Sequence, residues 1–551
     1  MIWHLNNTTI RNPGRYLEAL RAYEEHGYID GLFDKGNQEA QKKLYNLILD
    51  AGIINSSTRD SDWNGRKWRL GFRELGLIYF NGNPNQLLGD ISKSGYALLN
   101  ASNDAELQDI YFRIIFNLEY RKKNNNKLCF RPIPLILNVI KLLIESGQKE
   151  SISQQEFSIT LQDFREGLTP LDYCNEIIKF RKGKKDNKGK QREFYEQELK
   201  EVFERNNGRP GLDTISKDYP DVTFRLLKLS GLFRIEGSRL ILNSQYINLL
   251  DTLCADSEIS KTEADYYNKI SNLPDVPIDK NRIVLESIVR ENYNKLNESP
   301  LQLDNFDDES LRVLRINQED SIRKAIEENF AYEQRNKVEI ITKWFDCLIS
   351  KKSMDEEFDG EYISFRSDER PQYLEWIVWR AFLAINNLSN KPYESRKFPL
   401  DSELKPTSHA PSKGPDLLME FDNFNLVIEV TWTTSSRQVA AESEPVIRHV
   451  ANVARESEKP TYCLFIAPEV DINTLESYRV LDKHFLDDET FEIANIIPIS
   501  LSEFVNFFKD IPKAKQESID KILSILEECT SIKKDLSPFD WKEFISQRFA
   551  A

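Results

Sequence analysis

Residues 413–457, KGPDLLMEFDNFNLVIEVTWTTSSRQVAAESEPVIRHVANVARES, hold acids in places where only chemistry or a partner makes them tolerable. LVIEVT (426–431) is a continuous apolar run broken by one acid, Glu429. An ionised carboxylate inside such a strand is costly unless something pairs with it, most economically a cation. LLMEF (417–421) reads as the preceding strand, with Asp416 at its start and Asp422–Asn423 as the hairpin turn. The 13-residue separation of Asp416 and Glu429 brings both carboxylates to one edge of a two-stranded ribbon. Two converging oxygen ligands suit Mg²⁺, a hard octahedral cation that keeps several waters.

The stretch SRQVAAESEPVIRHVANVARES has helical character. Glu442 and His449 lie seven apart and share a face, and Gln438 lies one turn before Glu442 on the same side. Upstream, PQYLEWIVWRAFLAIN reads as an amphipathic helix with Leu374, Ile377, Val378, Ala381 and Ile385 inward and Glu375 at the border of the apolar face. Together Glu375, Asp416, Glu429, Glu442 and His449 can hold one or two divalent ions that activate water for in-line attack on a phosphodiester. The plainer alternative has Asp416 capping a turn, Glu429 paired with Arg448 or Arg437, and His449 as a satisfied core histidine. The five residues in this order favour the metal.

These groups need a scaffold and a partner to act on. Residues 1–250 hold 37 Lys and Arg against 32 Asp and Glu, a net +5, which leaves −20 of the overall −15 for the remaining 301 residues. A polyanion therefore suits the first part only. There QEAQKKLYNLILDAG (38–52) is a short helix, SSTRDSDWNGRKWRLGF a polar loop, and FRELGLIYF a helix running into a strand. A turn at Asn81–Asn85 and the phrase ISKSGYALL complete the order of a winged helix, a helix-turn-helix variant. Residues 224–250 repeat the phrase: helix, strand, Glu-Gly-Ser turn, strand, helix. Trp63, Arg66, Lys67, Trp68, Arg69 and Arg73 place four basic and two aromatic residues at the presumed recognition helix, and Arg11 and Arg15 are similar candidates for DNA contact. The alternative makes both tryptophans core and the charges solvated. KFRKGKKDNKGKQR (179–192), with eight basic residues and one acidic, is either a solvated loop or a flexible arm that neutralises phosphates. The polar, acidic, proline-bearing stretch 255–310 reads as a junction, followed by a long connector helix.

Composition removes several classes. No run approaches the ~20 apolar residues of a membrane span. The N-terminus lacks a signal-peptide layout. The six cysteines stand singly with no CxxC spacing, and five histidines are too few for a histidine-rich centre. A reduced, cytoplasmic setting is expected.

Pro415-Asp416, twelve residues, then Glu429-Val430-Thr431 is similar to the PD-(D/E)xK nuclease signature. The longer run Glu429-Val430-Thr431, Arg437-Gln438, Glu442-Ser443-Glu444-Pro445-Val446, Arg448-His449-Val450 resembles the AlwI-like family of type IIS restriction endonucleases, as do RNPGR (11–15) and RKWRLGFRELGLI (66–78). That family includes strand-nicking members. The resemblance implies a multidomain α+β chain: a helical, winged-helix-type DNA-recognition region, a helical linker, and an α/β PD-(D/E)xK-type nuclease domain that uses Mg²⁺ and cuts outside an asymmetric site in double-stranded DNA. The expected domains are 1–140 and 141–290 for recognition, 291–345 as linker and 346–551 for catalysis. Asp416, Glu429 and Glu442 would be the acidic catalytic and metal-binding positions, Glu375 would complete them, and His449 would sit close to the metals. The signature's lysine is absent, since Thr431 stands there; a second Mg²⁺ held by Glu442 is the candidate replacement, giving two ions per site. One chain carries one site, so cutting both strands requires a homodimer or a second subunit, and a chain that cannot pair would only nick. The resemblance also implies a bacterial restriction-modification system with a cognate DNA methyltransferase. A different reading is a non-catalytic winged-helix DNA-binding regulator with an acidic interaction domain.

Overall fold

The computed structural model describes residues 1–551 except 33–35, 55–57, 80–88, 122–128, 256–257, 355–356, 368, 386–387, 412–413, 435–436, 482, 486–490 and 551. The chain forms two compact units, Met1–Ile322 and Arg323–Ala551, each mixing helix and sheet. The division falls inside the Asp308–Glu333 helix, within the stretch expected as linker. The expected borders after 140, 290 and 345 fall inside the helices Pro132–Glu145, Arg282–Leu296 and Val338–Ser350.

In the first unit one apolar core runs from Trp3 to Leu311. The Asp62–Glu74 helix begins earlier than the sequence suggests. Ser61 caps it by accepting the Asn64 N–H, so WNGRKWR is helix, not loop. Two glycines allow its close packing: a Cβ at Gly65 would stand 1.8 Å from the Gln41 carbonyl oxygen, and one at Gly71 2.2 Å from the Tyr16 ring. Past this helix Ile78 bridges Ile91, and Lys93–Leu99 is helical; the expected turn at Asn81–Asn85 lies outside the described residues. The later phrase takes the expected order, with helix Tyr219–Leu229 followed by antiparallel strands Phe233–Glu236 and Arg239–Leu242. A third strand, Ser151–Ser153, pairs beside Arg239–Leu242.

Three expectations are corrected. Residues 179–192 are not a flexible arm: they are the end of the Pro170–Asp186 helix, a turn, and the start of the Gln191–Arg205 helix. Residues 255–310 are not a junction. The helices Glu263–Ser271 and Arg282–Leu296 bury Tyr266, Tyr267, Ile270, Leu285, Val289 and Tyr293 in the common core, their polar composition belonging to the outer faces. The connector is two helices, Asp308–Glu333 and Val338–Ser350, separated by a short 3₁₀ turn at Gln334–Asn336.

The second unit is built on a four-stranded sheet. Its strands are β1 (Leu417–Glu420), β2 (Asn425–Val430), β3 (Thr461–Ala467) and β4 (Asn495–Ser500), in the order β4-β3-β2-β1. The β1–β2 pair is the expected hairpin, closed by the Phe421 N–H on the Phe424 carbonyl, while β2, β3 and β4 run parallel. Both faces are covered. Leu426 and Ile428 face one core with the Arg370–Ile385 helix, and Val427 faces the other with Val446 and Val450 of the Arg437–Arg455 helix. A strand buried on both sides has no alternation, which explains the unbroken run LVIEV. The Arg370–Ile385 helix is not amphipathic as expected: every residue from Gln372 to Ile385 is buried. Such a helix has no solvent face, so its few polar side chains, Gln372, Glu375 and Arg380, are buried on partners. No helix among the described residues is long and apolar enough to cross a membrane, and all six cysteines are free thiols.

Candidate active site

The β1–β2 register, Leu417 opposite Ile428, sets Asp416 opposite Glu429 at the end of the hairpin. Asp416 Oδ2 accepts the Val430 N–H at 2.8 Å. Glu429 points to the side of the Arg437–Arg455 helix, where His449 Nδ1 donates to its Oε1 at 2.8 Å. With Glu429 ionised, this hydrogen bond uses the Nδ1–H form of the imidazole. One face of that helix also carries Glu442, whose Oε1 accepts the hydroxyls of Thr431 (2.8 Å) and Thr433 (3.1 Å). Glu375 enters from the buried helix on the other side of the sheet, accepting from His409 Nδ1 at 2.8 Å and from the Ala410 N–H at 3.0 Å.

Electrostatics tie the four carboxylates into one site. Burial, then the charges of Glu375 and Glu429, push the Asp416 carboxyl well above the usual range. Burial, then Glu442 and Glu375, do the same to Glu429. The repulsion reaches the core: Cys463 on β3 is pushed up by burial and then by Glu429 and Asp416. The structure thus gathers all five residues singled out in the sequence. Neither arginine of the plainer reading is seen on Glu429: Arg448 pairs with Glu444 at 3.2 Å, and the Arg437 side chain lies outside the described residues.

Thr431, at the position of the signature's lysine, uses its hydroxyl to hold Glu442, and the Thr433 N–H returns to Thr431 Oγ1 at 3.0 Å. Fully buried Gln438 clamps this turn, donating to the Thr433 and Glu469 carbonyls at 2.9 and 3.1 Å and accepting from the Asp471 N–H at 2.9 Å. Among the described residues no three His, Cys, Asp or Glu side chains stand ready-made to hold a metal ion. Each carboxylate is turned onto a protein donor.

Two groups were missed in the sequence. His409 belongs to the segment between Arg396 and Asp416, which is fastened to the buried helix at several points. Trp376 Nε1 donates to the Leu404 carbonyl at 2.7 Å and Gln372 Nε2 to that of Pro406 at 3.4 Å. The second is the Glu327–Arg396 ion pair, with Nε–Oε1 and Nη2–Oε2 both at 2.7 Å. Arg396 bridges Leu417, and the Lys397 N–H donates to the Asp416 carbonyl at 3.3 Å, so this pair sits at the root of the Asp416 strand. The available signals were weak: His409 is one of five histidines, and Glu327 is 69 residues from Arg396.

The basic candidates of the first unit divide. Arg66 and Trp63 are exposed, and Lys67 lies 4.9 Å over the Trp63 ring, whereas Trp68 is core. Arg69 is half-buried, its guanidinium lowered by burial and then by Arg73 and Arg66; Arg73 stacks 5.3 Å over Tyr267. Arg11 is ion-paired to Asp218 at 2.8 Å, and Arg15 opens the Arg15–His26 helix half-buried.

Among solved structures, the small subunit (R.BspD6I2) of the heterodimeric restriction endonuclease R.BspD6I is 18% identical, covering 38% of this chain and 96% of that one at a TM-score of 0.29. The BpuJ1 endonuclease binding domain, solved with pyrene- and phenanthrene-modified DNA, is 14% identical over 44% of this chain and 88% of that one, TM-score 0.29. Restriction endonuclease FokI is 12% identical over 94% and 98%, TM-score 0.23. No curated protein matches. The family model described as AlwI restriction endonuclease matches residues 73–507, which include all four carboxylates and the two histidines that hold Glu375 and Glu429. By that match the chain belongs to the AlwI restriction endonuclease family.

Proposed function

We propose that this chain is a type IIS restriction endonuclease that binds a short asymmetric sequence in double-stranded DNA and hydrolyses phosphodiester bonds outside it, with Mg²⁺ in a PD-(D/E)xK-type site. The observation that carries the reading is the convergence of Asp416, Glu429, Glu442 and Glu375, where burial and then mutual repulsion raise Asp416 and Glu429. A donor set of carboxylates that repel one another fits a hard divalent cation, which relieves the repulsion. When bound, Mg²⁺ supplies a Lewis acid and a water of lowered pKa.

The chain's own groups orient that donor set. Val430 N–H fixes Asp416, His449 fixes Glu429, Thr431 and Thr433 fix Glu442, and His409 with Ala410 fixes Glu375. Each bond removes a rotamer choice and preorganises the acids. Asp416 Oδ1 and Glu442 Oε2 have no hydrogen-bond partner among the described residues and are the oxygens free to meet a cation. Thr431 stands at the position of the signature's lysine and is engaged on Glu442, so two ions, the second on Glu442, suit the site better than one.

In this reading the first unit is the DNA reader, with winged-helix-type modules around the Asp62–Glu74 and Tyr219–Leu229 helices. Arg66, Lys67, Arg69, Arg73, Arg11 and Arg15 remain the candidate contacts, Arg66 foremost because it is exposed. The direct test is digestion of plasmid DNA with Mg²⁺ followed by run-off sequencing of the products. Breaks at a fixed distance from one short sequence are expected, paired for a cutter and single for a nicking enzyme. Intact DNA that is still retarded in a gel would instead support a non-catalytic regulator and sink the nuclease reading. For the reader, Arg66→Ala should weaken cognate binding by about 1–3 kcal/mol more than random-sequence binding. Equal losses on both DNAs would move Arg66 from base to phosphate contact.

A further inference from the structure

The strongest unassigned surface is the tip of the helical hairpin formed by Pro170–Asp186 and Gln191–Arg205. Its fourteen residues 179–192 carry eight cations and one acid in a chain of net charge −15. Several of the cations are engaged. Arg181 pairs with buried Glu156 at 2.8 Å, Lys184 donates to Gln155 at 2.8 Å, Arg192 pairs with Glu196 at 2.8 Å, and Lys190 reaches Glu193 at 4.0 Å. Lys182, Lys185 and Lys188 are exposed and make no hydrogen bond or ion pair with any described residue.

The hairpin is closely packed. Phe180 stacks on Phe194 with ring centroids 5.6 Å apart, over a small separate core of Ile159, Leu199, Val202 and Ile215. At Gly183 the two helices come so close that a Cβ would lie 2.4 Å from the Phe194 ring. The backbone that carries Lys182 and Lys185 is therefore fixed by packing, and Lys188 lies on the turn that follows the helix. Like charges three residues apart on a helix, as at Lys182 and Lys185, cost a few tenths of a kcal/mol, a loss that nothing within the described residues repays. A group of unneutralised ammonium charges at the tip of a packed hairpin repays that cost when it displaces counterions from a polyanion.

We infer that Lys182, Lys185 and Lys188 form a sequence-independent anchor for DNA backbone phosphates, separate from the base-reading candidates on the Asp62–Glu74 helix. The anchor rests on the proposed DNA-binding function. It supplies affinity and register and carries no sequence information.

The test compares the wild-type chain with K182Q/K185Q/K188Q for binding to a fluorescent random-sequence 30-base-pair duplex (~30, to span the site) in EDTA, across a range of NaCl concentrations. Three lost phosphate contacts should flatten the plot of log K against log salt by about 2.7, at 0.9 per phosphate, and lower low-salt affinity at least about tenfold. The thermal midpoint should hold or rise slightly, since only exposed like charges are removed. A slope within about 0.5 of wild type would overturn the anchor. Plasmid cleavage by the wild-type chain reports on the nuclease reading separately: cutting at one site with an unchanged variant slope rejects the anchor alone. Absence of wild-type binding to any duplex rejects both.

Discussion

Asp416→Asn should abolish DNA cleavage, by about 10³-fold or more, while raising the thermal midpoint of the second unit in EDTA. The two effects share one cause. Asp416 is held among Glu375, Glu429 and Glu442, and burial together with their charges raises its carboxyl well above the ordinary range. A folded-state value above the unfolded one means that the folded chain binds the proton more tightly. Stability is therefore highest below the unfolded value and is lost as pH rises towards the folded one. Asparagine removes the charge yet keeps an oxygen for the Val430 N–H that Asp416 now accepts at 2.8 Å. The gain should be visible at neutral pH, at about 2–4 °C per kcal/mol of relieved repulsion for a unit of this size, and should vanish in acid. Specific DNA binding should persist, because the presumed reader lies in the other unit. Calorimetry from acid to neutral pH, alongside a cleavage time course with Mg²⁺, checks both. Near wild-type cutting would remove Asp416 from the site, and a lowered midpoint at neutral pH would refute the electrostatic account. The trade is general: a site that concentrates like charge for function does so at the expense of the fold.

Glu327→Ala is expected to be the more damaging substitution for stability. Glu327 and Arg396 are 3% and 9% exposed, and the arginine fork meets both carboxylate oxygens at 2.7 Å. Removing one partner leaves a guanidinium buried without its main counter-charge, a change that typically costs about 3–5 kcal/mol. At about 2–4 °C per kcal/mol the midpoint should fall by roughly 6–20 °C. The effect should also reach the site. Arg396 bridges Leu417, and Lys397 holds the Asp416 carbonyl, so the segment carrying both His409 and Asp416 loses its anchor at one end. Cleavage measured well below the midpoint should therefore drop through kcat more than through KM for DNA. If the midpoint falls with kcat unchanged at low temperature, the pair is structural only. Arg396→Lys keeps the charge but not the fork, and should recover only part of the loss.

How far the site was legible follows from the periods of its elements. Asp416 and Glu429 could be brought together from the sequence because a two-residue turn fixes hairpin register, and register fixes which residues face each other. Glu442 and His449 could be placed on one face because seven residues are two helical turns. The Arg370–Ile385 helix reads as amphipathic because Leu374, Ile377, Val378, Ala381 and Ile385 fall at helical spacing, whereas its remaining face is buried too, with Arg380 on Glu361 at 2.7 Å and Glu375 on His409. The 255–310 stretch was read as a junction because composition averages over a helix's two faces. The 179–192 run reads as a solvated loop or a flexible arm because two glycines and many lysines suggest a loop, yet Gly183 serves close packing on Phe194.

The sequence by itself thus determined the order of strands and helices around the acids, their convergence along each element, and the family. It did so because turn length and helical period are local. The tertiary structure alone shows which donors hold each acid: His449 on Glu429, two threonines on Glu442 and His409 on Glu375, with Glu327 at the root of the strand. These are contacts of up to 69 residues' separation, set by how the helices pack on the sheet and carried by no local period.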